Sequence, residues 1–424
     1  MQTNVPVGSP LARKAYSVGL FSKVQSEPGF MNLLSGEMPQ EGTFAAKAKG
    51  QTSPDYPVVK CGDLSKDAGD TVSVDLFNIL KGKPTMGDRR IAGHMMALTY
   101  SSMDVKIDQF RAGADSGGRM TQKRTVHNLR KIAMASLQGY MARYEDQATL
   151  VHLAGARGSQ NHVDWVVPLS TDPDFADIMV NAVKAPTKNR KFYAGAATSV
   201  ATVATTDALT LQDIERIGTQ VRESSVPMQS IKIKGDDRAW GSPLWTLFVT
   251  ERQWLFLKAR VSTAAFNTMA KDAFERKAPG VKHPLFDSYD TIMWSGILIK
   301  RMGRYATRFN AGDSVVVDSG GADGGTYTET SETVGAGITV DRAVLLGAQA
   351  LAKVYGKSKS DYFYDWSEEE VDHGNAVETV GGSMGGSAKI RFNIDGVDTD
   401  FGVSVIDSYS PDPASAAGRT LLGS

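Results

Sequence analysis

From Thr121 to Ala154, the residues Val126, Leu129, Ala133, Leu137, Tyr140, Tyr144, Ala148 and Val151 recur at spacings of three and four. That repeat is one face of an α-helix. Lys123, Arg130, Lys131, Arg143, Glu145 and Asp146 fill the opposite face. Thr121 or Ser116 is placed to cap the start, and Gly155 suits the left-handed position past the end. Gly139 costs about 1 kcal/mol relative to alanine inside a helix, and is expected to let a neighbouring backbone come close. At about 1.5 Å per residue the helix would span roughly 50 Å, well beyond the mean globular helix. The fold has to be built along this beam.

The segments before it are of another kind. Pro6, Pro10, Pro28, Pro39 and Pro54 punctuate residues 1–56, with short apolar islands between them. This reads as an extended arm. Phe21, Phe30, Leu33 and Leu34 predict that the arm lies on a surface. After it, "DTVSVDLFNIL" and "SMDVKIDQF" alternate apolar and polar residues, the mark of half-buried strands. Between them lies "KGKPTMGDRRIAG", dense in glycine and basic charge. A phosphate loop needs its glycines to lead into a helix N-terminus. Here the stretch sits inside a two-stranded excursion, where Gly87 and Pro84 do turn chemistry. Lys81, Lys83, Arg89 and Arg90 face no sequence-local acid except Asp88, so their partners are expected elsewhere, on another chain.

After the long helix the patterns mix. "TLQDIERIGTQVRES" is a helix, "LWTLFVT" a buried strand, "ERQWLFLKA" a helix and "DTIMWSGILIKRM" an apolar strand. Residues 309–338 are rich in Gly, Ser and Thr and read as an exposed hairpin or loop. "DRAVLLGAQALAKVYG" reads as a further helix. "KIRFNIDGVDTDFGVSVIDSYS" alternates around "DG", a hairpin signal. The class is mixed α+β, without an internal repeat.

Composition removes several functions. Lys+Arg and Asp+Glu are both 47 in 424 residues, whereas a non-specific nucleic-acid binder carries a basic excess. One cysteine, Cys61, forbids an intramolecular disulfide or an all-cysteine zinc site. No stretch approaches the roughly 20 apolar residues of a bilayer span, and the first residues lack the apolar run of an export signal. A soluble protein with no membrane partner is expected.

Chemistry finds little footing. "GGSMG" matches the G-x-S-x-G elbow around Ser383, but a strand-like stretch follows it and the last histidine, His373, precedes it. "ADSGG" places Ser116 in a protease-like context, yet at the start of the long helix, where a cap is the plain reading. His94, His127, His152, His162, His283 and His373 have no tight ligand spacing. Asp361, Asp365, Glu368, Glu369, Glu370 and Asp372 lack calcium-loop spacing and read as a solvated or partner-facing acidic patch. No catalytic, cofactor-binding or metal site is expected.

The order of arm, β-excursion, long helix, mixed domain and closing strands resembles the major capsid proteins of tailed bacteriophages, which share the Johnson fold. "GDTVSVDLFNIL", "LTYSSMDVKIDQFR", "TQKRTVHNLRKIA", "WTLFVTERQW" and "HPLFDSYDTIMWSG" are similar to the short-tailed-phage branch. The resemblance implies an N-terminal arm at 1–56, an extended β-loop at 57–115 and a peripheral domain with the spine helix at 116–204. It implies an axial domain at 205–360, with the Gly/Ser/Thr-rich loop near 309–338, and C-terminal strands at 361–424 completing the peripheral domain. It implies a major capsid protein that self-assembles as pentamers and hexamers into an icosahedral virion head. That head would enclose double-stranded DNA without sequence-specific binding, and would be made in the host bacterial cytoplasm. A separate scaffolding protein, a portal and a decoration protein are the implied partners, the arm being short for a scaffolding segment. Lys81, Lys83, Arg89 and Arg90 become intersubunit docking charges, with Glu368, Glu369 and Glu370 as a mate. An encapsulin-like compartment shell is the rival within the fold; a serine hydrolase using Ser116 or Ser383 is the rival of another class.

Overall fold

The computed structural model describes residues 34–35, 52–61, 69–77, 83–92, 95, 100–125, 128–234, 236, 241–276, 284–286, 290–320, 325–356, 364–394 and 396–423. Among these, two larger sheets and three two-stranded hairpins carry the architecture.

The long helix, Leu129–Ala154, starts later than its apolar repeat suggests. A short helix, α1 (Arg119–Arg124), comes first and ends on an extended Thr125. Asn128 then caps the long helix, α2, its side chain accepting from the Lys131 N–H. Ser116 and Thr121 are therefore not its caps, and Val126 and His127 lie outside the described residues. Gly155 closes the helix at φ +66°, its N–H donating to the Val151 carbonyl. Ala133, Leu137, Tyr144, Ala148 and Val151 are buried as their spacing predicts. A Cβ at Gly139 would meet nothing within 4 Å, so no backbone approaches there. The last turns are buried nearly all round, polar Gln147, Thr149 and His152 included. Gln147 explains its own burial. It donates to the Asp164 carbonyl and accepts from the Val166 and Val167 N–H groups, pinning that segment to the helix.

The first sheet lies against α2. Its long strand β15 (Ala376–Lys389) is flanked on one side by β4 (Asp108–Gly118). On the other side β13 (Leu351–Tyr355) and then β14 (Tyr364–Val371) follow one another. β1 (Val58–Cys61) adds in parallel to β13. The second sheet runs β5 (Lys191–Tyr193), β18 (Val403–Tyr409), β12 (Val340–Leu346), β6 (Trp245–Val249), β8 (Ile297–Arg301), β7 (Thr291–Trp294), with β9 (Thr307–Phe309) also on β12. β5 and β18 come from ranges that the resemblance gives to the peripheral domain, and β13 from the axial range.

Helices α4 (Leu211–Glu223), α5 (Glu251–Ala259) and α6 (Thr263–Arg276) follow α3 (Phe175–Met179) in the chain. Ile214, Ile217, Val221, Trp254, Leu257 and Met269 from the first three cover one face of the second sheet, over Leu247, Val249, Ile299 and Leu345. The other face, through Phe248, Leu298, Val344 and Leu346, packs on Leu153 and Ala154 at the end of α2, and on Val58 and Leu351 of the first sheet. Leu34 joins this core; Phe21, Phe30 and Leu33 lie outside the described residues.

"DRAVLLGAQALAKVYG" is therefore two strands, β12 and β13, where the apolar pattern suggested a helix. Both are buried at every residue, so period-two alternation is erased. Gly347 lies between them, where a side chain would strike the Gln229 carbonyl. "DTIMWSGILIKRM" folds into a hairpin turning at Ser295 and Gly296, at φ +47° and +80°, the geometry of a two-residue primed turn. The glycine-rich stretch forms the hairpin β10 (Ser314–Asp318) and β11 (Glu329–Thr333). The "DG" signal lies at the turn between β16 (Arg391–Ile394) and β17 (Val397–Asp400), where Gly396 takes φ +85°.

Candidate functional site: the excursion and its charges

The excursion is a hairpin of β2 (Thr71–Phe77) and β3 (Tyr100–Lys106), paired from Thr71 with Lys106 to Phe77 with Tyr100. Its base is apolar. Val72, Val74, Val105, Met103 and Ile107 pack with Val59, Cys61, Val354, Ile390 and Phe392 of the first sheet and the β16–β17 hairpin. Within the connection between β2 and β3, Lys83, Asp88, Arg89 and Arg90 are exposed; Lys81 lies outside the described residues. Lys83, Arg89 and Arg90 form no ion pair among the described residues. Gly87 sits at φ +63°, a conformation glycine takes at little cost. Sequence reasoning passed over the apolar members of the same stretch: Met86, Ile91 and Met95 are 69%, 61% and 79% exposed. They carry no periodic signal, since three large apolar side chains among basic residues form no helix or strand pattern.

The acidic patch divides. Glu368 is buried, and both its oxygens accept from Arg130 of α2, at 2.8 and 2.5 Å. It is committed within its own chain, which corrects its reading as a docking acid. Glu369 and Glu370 are exposed on β14. Asp361 lies outside the described residues.

Ser116 is buried in β4 and donates to the Val377 carbonyl at 2.7 Å. It is a strand residue, not a helix cap. Ser383 is buried in β15 between Tyr364 and Phe110. Ser383 lies within a strand, and Ser116, two residues before the strand gives way to α1, turns its hydroxyl to the neighbouring strand's carbonyl. His152 is wholly buried, and burial pulls it down to about 3, so it is neutral at ordinary pH. His94, His127 and His283 lie outside the described residues. Among the described residues no group of three His, Cys, Asp or Glu side chains could hold a metal ion. Cys61, the chain's single cysteine, is buried.

Charge is instead concentrated in the core. Arg342 and Asp407, neither exposed, pair through two hydrogen bonds of 2.7 and 2.8 Å. Arg342 also donates to the Ala154 carbonyl at the end of α2. Asp400 joins Lys389 at 2.9 Å and Arg391 at 2.7 Å, which hold its carboxyl low against the opposing effect of burial. Asp341 binds Arg308 and Thr250. Glu145 of α2 meets Lys353 of β13 at 2.5 Å. Burial pushes Lys60, Lys191 and Lys389 down to about 8. These groups tie the long helix and the two sheets into one piece.

A family model for phage capsid proteins matches residues 4–412. The chain belongs to the phage capsid protein family. The capsid of Ralstonia phage GP4 superposes with a TM-score of 0.69 at 27% identity, covering 98% of this chain and 100% of that one. The cyanophage Pam1 capsid gives 0.57 at 19% identity, over 84% and 90% of the two chains. The head of Helicobacter pylori bacteriophage KHP40 gives 0.54 at 12%, over 85% and 88%. The last two bear on the fold alone, and it is the Johnson-type, HK97-like capsid fold. No curated protein matches the chain. This capsid chain is thus a major shell protein of a phage head, and capsid subunits are its partners. Among the described residues no helix is long and apolar enough to cross a membrane.

Proposed function

We propose that this capsid chain assembles as pentamers and hexamers into an icosahedral head around packaged double-stranded DNA, with each excursion laid on a neighbouring copy. The observation that carries the reading is the excursion itself. Its base is packed in the chain's own core, while Lys83, Arg89 and Arg90 stand in water beside Met86, Ile91 and Met95. Several exposed apolar side chains grouped in one short stretch are the kind of surface a partner covers. Glu369 and Glu370 of another copy are the acidic mates left available once Glu368 is spent on Arg130. The zero formal charge suits a wall around DNA, which has to enclose the polymer without gripping it.

The arm at 1–56, peripheral domain, axial domain and closing strands are taken in the order the resemblance gives. A separate scaffolding protein, a portal and a decoration protein complete the proposed assembly, made in the host bacterial cytoplasm. The chain works as a structural element without catalysis, and a fluorophosphonate probe should leave Ser116 and Ser383 unlabelled. The direct test is negative-stain microscopy and sedimentation of the purified protein, with scaffolding protein supplied. Closed, uniform shells are expected; a monodisperse monomer at every concentration would refute the proposal.

A further inference from the structure

Val180, just past α3, has φ +62° and ψ −54°. That is the strained form of the γ-turn, rare for any L-residue and most costly for a β-branched one. Its signature bond is present: the Asn181 N–H donates to the Met179 carbonyl across 2.6 Å. Strain of this kind persists only where the surroundings enforce it, and here it aims one side chain. Asn181 Oδ1 accepts from the Lys106 N–H at 3.0 Å, and its Nδ2 donates to the Lys106 carbonyl at 2.9 Å. One amide thereby satisfies both backbone groups of a single residue, as a neighbouring strand would.

Lys106 is the residue at which the excursion meets the body. It ends β3, and β4 begins pairing with β15 at Asp108. Between them the Ile107 N–H donates to the Asp70 carbonyl, closing the hairpin on itself. The third wall is Gly386 of β15. A Cβ there would collide with the Lys106 carbonyl oxygen and lie 3.0 Å from Asn181 Nδ2. Elsewhere the hairpin base is held by apolar packing, which is non-directional and leaves the angle loose, and, among the described residues, by bonds to the β16–β17 hairpin alone, Ser101 donating to the Asn393 carbonyl and the Arg391 N–H to Met103 Sδ. Hydrogen bonds are directional, and a two-point amide contact defines a plane. A hairpin of seven pairs at about 3.4 Å each is a lever of roughly 24 Å, so a tilt of about 10° at the base shifts its end by about 4 Å.

We infer that Asn181 is a positioning residue for assembly: held by the strained Val180 turn, its amide fixes the angle at which the excursion leaves the body, and with it the curvature of the shell. This rests on the reading that the excursion docks on a neighbouring copy.

The test compares four proteins: wild type, Asn181→Leu, Val180→Gly and the tip variant Arg89→Glu with Arg90→Glu. Amide exchange, thermal unfolding of the subunit and particle diameter are measured for each. Asn181→Leu should exchange the Lys106 amide about five- to tenfold faster, as loss of one hydrogen bond implies. It should leave the melting temperature close to wild type and yield particles of altered or scattered diameter. Val180→Gly, which adopts the turn without strain, should give wild-type diameters. Should Asn181→Leu not fold, Asn181→Ala carries the same measurement. Asn181 variants that build uniform wild-type shells, beside a tip variant that loses assembly, would overturn the latch alone. A tip variant that assembles normally would overturn the docking reading and the latch together.

Discussion

Arg342 and Arg89 mark the two ways this chain handles a cation. Arg342 is wholly buried, bound by Asp407 through two short hydrogen bonds and by the end of the long helix through a third. Arg89 stands exposed in the excursion, without an ion pair among the described residues, next to apolar side chains that are also in water. A buried charge is tolerable only when paired and hydrogen-bonded, and Arg342 meets that condition within its own chain. The rule does not reach the exposed charges of the excursion, which water can satisfy; on the function proposed above they and the apolar groups beside them gain partners from another copy. Shell proteins need both: a subunit that keeps its shape alone, and a surface that gains its partners only on assembly.

The comparison breaks most visibly where the body loses a counter-ion. Asp407→Ala strands Arg342 and the nearby Lys191 in the core. It should cost about 3–5 kcal/mol of subunit stability, read by denaturant unfolding. Arg342→Met with Asp407→Leu removes both charges and should recover much of that loss. A single variant as stable as wild type would show that the buried pair is not what completes the body.

The buried lysines predict a pH response that an exposed set could not give. Lys60, Lys191 and Lys389 sit at about 8 when folded and near 10.4 when unfolded. Between those values the unfolded chain binds more protons, so stability rises with pH. Tyr144, Tyr355 and Tyr364 are shifted upward by burial. Above about 10 the unfolded chain loses tyrosine protons first, and stability falls. The subunit's melting temperature should therefore climb from pH 7.5 to about 9.5 and decline beyond. A steady fall across that range would contradict the burial of the lysines.

Smaller effects sharpen the same contrast. Ser116→Ala loses the bond to the Val377 carbonyl and should cost about 1 kcal/mol in the subunit. Arg89→Glu with Arg90→Glu should change subunit stability by no more than about 0.5 kcal/mol, while lowering particle yield and the salt at which shells come apart. A large loss of subunit stability would place these arginines in the body after all.

How much of this was legible depends on where each residue's partners lie. The α2 stripe announced itself because one face meets the sheet and the other stays partly in water. β2 and β3 were readable because they are half-buried. β12 and β13 are buried on both faces, so their sequence loses the period that separates strand from helix. Arg342 and Asp407 are 65 residues apart, and nothing local joins them; a charge inside "VDRAVLL" hints at a buried pair without naming its mate. Glu368 looked like its exposed neighbours Glu369 and Glu370; strand alternation separates it from Glu369, but Glu370 shares its face, and only Arg130 on the distant long helix singles Glu368 out. The excursion's basic residues were found because like charge in a glycine-rich turn has no local use. Met86, Ile91 and Met95 carry no such signal, because apolar residues five and four positions apart among glycine and basic residues follow no strand alternation and form no helical stripe.

The central claim is that the excursion's contacts are made between copies while the body's are made within one. Hydrogen exchange of the unassembled subunit and of the intact shell tests it residue by residue. The account predicts that amides of α2, β12 and β15 are protected alike in both, and that amides within 83–92 become protected only in the shell. Equal exchange at 83–92 in subunit and shell would contradict it.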